Sequence, residues 1–504
     1  MDKFTNIPYI RPDYESIKKR ISERKAQIEK AASYQELRDH WLSIKREIED
    51  MEYMEQMAHI PYLCGIDVLK NGEEMVIQNK EDPIIYSLRD NCDQLVASSV
   101  YADKIREEFG EACMKMVGTQ RIISPEAASL QSKEYTLRTR YRSLRTSSDA
   151  HEEEMYSIFH ELIELRPHLA QCFGYKNYLE MAYNTLRRTD YGEKELKHFR
   201  KQVKELVTPV CREYKAYEYQ YPPSDISTGN ELIKVIHNIF CSISEETEEY
   251  IDRMVNGGFY DLESRPDKSD LTISCCMIPR IKMPFVIGNV TGNSSDACNI
   301  THEFGHGFAF YTAARTQKLY EYHRSSASIN ELHAKTMEHF AYPYIESFAG
   351  KYRKEYIRAH ICHQLSNLPY RCAIDEFEHE IYRQPGLSRT GLCELWAEIA
   401  QMYMPWIEPD IDGIKQGTYW PHQTHIVLSP LYYIEYNIAQ ISTYDFYRKM
   451  KADYQSAWKD YVSLCKAGGS KSYLDLLKTA HLANPFQNGK VAEILSPAIF
   501  ELGA

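Results

Sequence analysis

Residues 299–315 read NITHEFGHGFAFYTAAR. His302 and His306 stand four apart, with Glu303 directly after the first. On an α-helix, residues i and i+4 share a face, so both imidazoles can reach one ion. Glu303 is offset around the helix, where a carboxylate can reach a water beside that ion and act as general base. Two histidines do not complete a site, because a catalytic zinc takes a third protein ligand and keeps an open position for water. The longer pattern HExxHxxGxxH is absent, since Ala309 and Thr312 occupy its Gly and His positions. The candidates for a third ligand follow in YEYHRSSASINELHAKTMEHFAYPYIE: Glu321, His323, Glu331, His333, Glu338 and His339. INELHAKTMEHF has a helical apolar pattern at Ile329, Leu332 and Phe340, and Glu331 and Glu338, seven apart, fall on nearly one face. One of them ligating a metal and the other orienting a ligand histidine would explain the pair. An exposed, salt-bridged helix would show the same spacing.

Attack on a carbonyl builds negative charge on its oxygen, which a phenol O–H or an imidazole N–H can stabilise. HIVLSPLYYIEYNIAQI offers His425, Tyr432, Tyr433 and Tyr436 for that task. Tyr433 and Tyr436 are neighbours if this piece is helical. Plain aromatic packing is the alternative in a chain with 39 Tyr against 17 Phe.

Elements must hold these groups in place, and most of the chain reads as helix. YESIKKRISERKAQIEKAA and YQELRDHWLSIKREIEDMEYMEQM carry apolar residues at three- and four-residue spacing, the second opened by a capping box of Ser33 and Glu36. KELKHFRKQVKELVTPVCREYKAYEYQ continues the pattern and is expected to break at Pro209. LTISCCMIPRIKMPFVIGNVTG, 271–292, differs: it is β-branched and apolar and reads as two short strands, with its prolines at an edge. TGNSSD then supplies a turn and N-cap for the histidine helix. A strand edge beside such a helix can take an extended peptide backbone.

The bulk properties exclude several classes. A chain of 504 residues with 43% hydrophobic and 26% charged residues is an ordinary globular protein with material for two lobes. A net charge of −12 without a basic run excludes a nucleic-acid footprint. No apolar run approaches a membrane span, and MDKFTNIPYIRPDYESIKKR has no signal-like core. The 13 scattered cysteines lack any CxxC and read as reduced thiols of a cytoplasmic protein. EPDIDG, 408–413, reads as a turn, since Pro409 and Tyr419 spoil a calcium loop, and His379 of DEFEHEIY reads as an ordinary helix histidine. No Walker or dinucleotide fingerprint and no GxSxG elbow is present.

HEFGH followed 29 residues later by the Glu of ELHAKTMEHF resembles the thimet oligopeptidase and oligoendopeptidase F family of zinc peptidases. GYKNYLEMAYNTLRRTDYGEKELKHFRKQV, FYDLESRPDKSD, MPFVIGNVTGNSSDACNITHEFGH, IDEFEHEIY and HIVLSPLYYIEYNIAQI resemble that family in the same order, over roughly 174–441. The resemblance implies one zinc ion held by His302, His306 and Glu331, with Glu303 as base and Glu338 supporting the ligands. It also implies that His425, Tyr433 and Tyr436 contact the substrate and its oxyanion, Tyr432 replacing one of them if the register is off by one. The fold it implies is mainly α, two-lobed and zincin-type, with a deep channel and a small sheet beside the zinc helix. A helical N-terminal lobe of residues 1–190 and a catalytic lobe of 191–504 are expected, possible interleaving aside. The expected activity is zinc-dependent cleavage of internal bonds in short unfolded peptides, with a peptide-binding homologue that has lost turnover, or a zinc carboxypeptidase, as alternatives. SRPDKSDLTISCC departs from the family in having no glycine where a glycine-rich loop is common, which puts substrate range or rate in question, and His422 replaces a commonly basic position near His425.

Overall fold

The computed structural model describes residues 3–118, 124–145, 151–266, 268, 273–407 and 420–503. The turn expected at EPDIDG and part of the glycine-free loop (267 and 269–272) lie outside them. The described chain is predominantly helical, with one three-stranded sheet.

The N-terminal helices form where the capping signals stand. Asp13 accepts from Ser16 N (3.1 Å) at the head of Tyr14–Lys30. Ser33 Oγ accepts from Glu36 N (3.2 Å) at the head of Tyr34–Leu63, and Glu36 reaches back to Ala32 N (2.9 Å). With Val68–Ala97 these helices bury Ile21, Trp41, Ile44, Ile85 and Val96 in a smaller core of their own. Lys45 joins that core to the rest of the molecule: its Nζ lies 2.8 Å from Asp93 Oδ2 and 2.7 Å from Glu321 Oε1, in the turn Tyr320–His323.

Most of the rest packs on one larger core running from Met57 to Leu502, with a small separate cluster of Ala127, Leu165 and Leu169. Pro209 does not break its helix as expected. A wide π turn over Val203–Val207 joins Glu193–Gln202 to Thr208–Glu213, and the proline sits in the first turn of the latter. There its missing N–H costs no ladder bond.

The sheet has the order β1 (Tyr260–Glu263), β3 (Met283–Val290), β2 (Ser274–Ile278), with β3 parallel to β1 and antiparallel to β2. β2 and β3 are the two strands that the pattern predicts; β1 carries too short an apolar run to announce itself. Pro284 lies in the central strand and not at an edge. It precedes Val286, where pairing with β1 begins, so β3 has only one neighbour at that point. β3 is buried along its whole length, whereas the edge strand β2 is half-buried.

Candidate active site

The helix Asp296–Thr316 follows β3. Asp296 holds the turn by reaching backwards, its Oδ2 accepting from the amides of Thr291, Gly292 and Asn293 at 3.0 Å each. The next helix, Ala327–Phe340, crosses it at Gly305. A Cβ there would stand 2.9 Å from Ala334 Cα and from Met337 Cβ, so the glycine of HEFGH sets how closely the two helices approach.

That approach brings one side-chain nitrogen each of His302 and His306 and an oxygen of Glu331 within 4.8 Å of one another. The two imidazoles are perpendicular, with centroids 4.7 Å apart. Glu331 Oε2 is buried without a hydrogen-bond partner and lies 3.3 Å from His302 Nε2. Two imidazoles and one orphaned carboxylate oxygen suit a zinc ion, which takes such ligands at about 2.0–2.2 Å and keeps a fourth position open. Of the other downstream candidates, His323, His333 and His339 are buried outside this cluster, and Glu321 pairs with Lys45.

Glu338 stands behind the cluster. His302 Nδ1 donates to its Oε1 (2.6 Å), which leaves Nε2 facing Glu331. The other oxygen accepts from His360 Nε2 (2.8 Å) and Gln364 Nε2 (3.2 Å), and His339 Nε2 orients that amide by donating to Gln364 Oε1 (3.1 Å). His360 and Gln364 had no visible role in the sequence. Their i, i+4 spacing in the long helix Arg353–Arg383 was the available signal.

The electrostatics follow from burial and this excess of acid. Burial alone would keep His302 neutral, but the neighbouring carboxylates of Glu331 and Glu338, the second hydrogen-bonded to it, outweigh that and raise its pKa to about 10. A bound divalent cation answers the same negative field as that proton. His306 is pushed the other way, to about 4, by burial and then by the charge of His302. Glu331 is drawn down to about 2, burial being overcome by the close approach of His302 and by the charges of both histidines. Glu303 accepts no hydrogen bond from the described residues, and burial raises it to about 7 against the opposing charge of His302.

The segment from 424 onward closes the other side. His425 lies in the short helix Thr424–Leu428, and Tyr436 lies in the first turn of the helix Glu435–Ala452. Tyr370 OH donates to Gln423 Oε1 (2.8 Å), so the Gln423 amide donates to His425 Nδ1 (2.9 Å) and the imidazole proton sits on Nε2. Burial and then Arg371 lower the His425 pKa to about 4, so the ring is a neutral donor. Tyr433 stacks on His425 at 4.4 Å, and Tyr436 meets both rings edge-on at 5.9 and 5.8 Å. The hydroxyl that touches the ligand cluster is that of Tyr432, which donates to Glu331 Oε1 (3.0 Å). A cavity of about 530 Å³ opens beside Tyr432, walled by Arg138, Tyr175, Tyr178, Ser429 and, from the N-terminal helices, Asp90. His379 is a core residue bonded to Tyr183 OH (2.6 Å) and Asp375 O (2.6 Å), and His422 faces outward to Arg145 (3.2 Å).

A profile described as peptidase family M3 matches residues 231–494, just over half of the chain, and the M3 N-terminal domain matches 4–121. The chain belongs to peptidase family M3. The solved structures it resembles include one assigned as an oligoendopeptidase F, at 26% identity and a TM-score of 0.93, covering 100% of this chain and 99% of that one. PZ peptidase A, solved with an inhibitor, matches at 26% identity and a TM-score of 0.91, covering 99% of each chain. A protein assigned as an oligoendopeptidase F from Bacillus anthracis str. Ames shares the fold at 24% identity and a TM-score of 0.87, covering 100% of this chain and 98% of that one. No curated protein sequence matches significantly. This M3 chain is therefore a metallopeptidase of mainly helical, zincin-type fold, with a small sheet next to the metal helix. No described helix is long and apolar enough to cross a membrane.

Proposed function

We propose that this M3 peptidase is a zinc-dependent oligoendopeptidase that hydrolyses internal bonds of short, unfolded peptides, with one zinc per chain held by His302, His306 and Glu331. The observation that carries the reading is the convergence of these three ligand groups, from two helices, beside a free carboxylate at Glu303. A bound zinc supplies acidity to a water and polarises the scissile carbonyl. Glu303 takes the proton from the attacking water and delivers it to the leaving amine. His425 Nε2–H and the hydroxyls of Tyr433 and Tyr436 donate to the oxygen on which charge develops. Tyr432 holds Glu331 in its ligating rotamer, and Glu338 fixes the His302 tautomer. The half-buried edge strand β2 offers backbone groups to an extended peptide, and the cavity beside Tyr432 gives the rest of the chain a path. A cytoplasmic protein with reduced thiols is consistent with thirteen free cysteines.

The test is a fluorogenic peptide blocked at both ends, incubated with and without a chelator, with zinc counted by elemental analysis. Internal cleavage abolished by the chelator and restored by zinc is the expected result. Cleavage confined to peptides with a free C-terminus would make the enzyme a carboxypeptidase. Binding without turnover would make it a peptide-binding homologue.

A further inference from the structure

Two cations on the tyrosine side of this site have no anionic partner. Lys335 shares a face of Ala327–Phe340 with Glu331 and Glu338, one turn from each, and is only 8% exposed. Its Nζ lies 5.9 Å from the centre of the Tyr436 ring. Arg371, from the facing helix Arg353–Arg383, places its Cζ 5.1 Å from the Tyr436 ring and 5.4 Å from that of Tyr433. Its Nε is buried and has no hydrogen-bond partner. Among the described residues neither cation makes an ion pair.

The nearest carboxylates are committed elsewhere. Both oxygens of Glu338 serve His302, His360 and Gln364, and Glu331 Oε1 serves Tyr432 while Oε2 faces His302. Other buried cations of this protein are paired: Lys45 with Asp93 and Glu321, Arg166 with Glu134 (2.9 Å), Arg188 with Glu435 (2.6 Å). Cation–π contact with Tyr436 accounts for the orientation of Lys335 and Arg371; the charges of Glu338 and Glu331 reach Lys335 through space, but no carboxylate of the described residues is in direct contact with either cation. A buried lysine and a half-buried arginine flanking one aromatic ring are like charges that an anion between them would relieve. The same ring lies against His425, on the side of the metal cluster where a substrate has to sit.

We propose that Lys335 and Arg371 form a carboxylate-binding subsite that selects peptides carrying an anionic group close to the scissile bond. The proposal rests on the peptidase reading of the site. An Asp or Glu side chain and a free C-terminal carboxylate present the same chemistry, and the second would confine cleavage to bonds near the end of a peptide.

The zinc-loaded enzyme is tested on two peptide series: Glu against Gln at each position flanking the cleaved bond with both ends blocked, and free against amidated C-terminus with neutral side chains. A kcat/KM at least about tenfold higher for Glu at one position assigns an acidic side chain, and the same gain for the free terminus assigns the C-terminus. Lys335→Gln and Arg371→Gln each bring that ratio toward one, and Lys335→Arg retains most of it. Equal kcat/KM across both series overturns the subsite, whatever the variants do. Failure of the peptidase reading looks different: no peptide is cleaved in a chelator-sensitive way. In that case the binding of fluorescent Glu and Gln peptides, and of free and amidated ones, is measured by anisotropy, and equal Kd values in both pairs overturn the subsite independently of turnover.

Discussion

Two buried clusters of histidine and carboxylate lie in the larger core, and they end differently. Both hold buried carboxylate oxygens without a donor, Glu331 Oε2 in one and Asp375 Oδ1 and Glu378 Oε2 in the other. Around HEFGH, the acids Glu303, Glu331 and Glu338 face His302, His306 and His360, and among the described residues no Lys or Arg forms an ion pair with them. Around DEFEHEIY, Asp375 pairs with Arg200, Glu435 with Arg188, and His379 with Tyr183, while Glu378 Oε1 accepts from the Leu431 amide (2.9 Å). Both clusters shift pKa values; burial raises Glu378 to about 8. Perturbation alone therefore does not mark the site. Three converging ligand groups beside a carboxylate that accepts no hydrogen bond from the described residues do, and the second cluster has its cations built in.

The second cluster nevertheless serves the first. Leu431 has a left-handed φ of 63°, unusual for a branched side chain. Arg188 Nη2 donates to its carbonyl (2.5 Å) and Glu378 accepts from its amide, so the strained turn is held at both ends. The next residue is Tyr432, whose hydroxyl reaches Glu331. A closed ion cluster thus aims the chain at an open one.

The contrast predicts separable losses. Glu303→Gln should lower kcat by roughly 100- to 10,000-fold while the metal content and melting temperature stay near wild type; near-normal turnover would remove its role as base. Arg188→Met should do the opposite, costing about 3–5 kcal/mol of stability in denaturant titration because a fully buried Glu435 loses its partner. An unchanged unfolding midpoint would show that the second cluster holds nothing. Glu338→Gln should weaken zinc about 10- to 100-fold in a chelator competition, since His302 loses the acceptor that fixes its tautomer. Gly305→Ala should act through geometry, forcing Ala334 and Met337 back and carrying Glu331 away from the histidines, with metal affinity falling more than thermal stability.

Stability should also depend on pH. Burial holds His323 and His425 near a pKa of about 4, below the usual 6.5. The unfolded chain then takes up protons before the folded one, so their contribution is complete above pH 6.5 and is lost as pH falls toward 4. A melting temperature that is flat across that window would mean that both rings protonate freely.

Local patterns carried much of this. The i, i+4 histidines, the capping box at Ser33, the two strands after 271 and the shared face of Glu331 and Glu338 are all legible within a dozen residues, because helix and strand geometry repeat at that range. The expected break at Pro209 failed because a π turn before the proline keeps the flanking helices continuous. β1 went unread for the reason that four residues carry no period.

By itself the sequence determined which side chains could ligate, which carboxylate was offset to act as base, and that a second acid lay two turns beyond Glu331. Only the tertiary structure decided that His360 and Gln364 would grip that second acid, that Tyr432 would be the tyrosine on Glu331, and that Lys335 and Arg371 would meet over one ring without an anion. The hydrogen-bonded partners among these lie 22 to 101 residues apart. Contacts at such separations are set by how helices pack, above all by the close crossing at Gly305, and no short window of sequence records them.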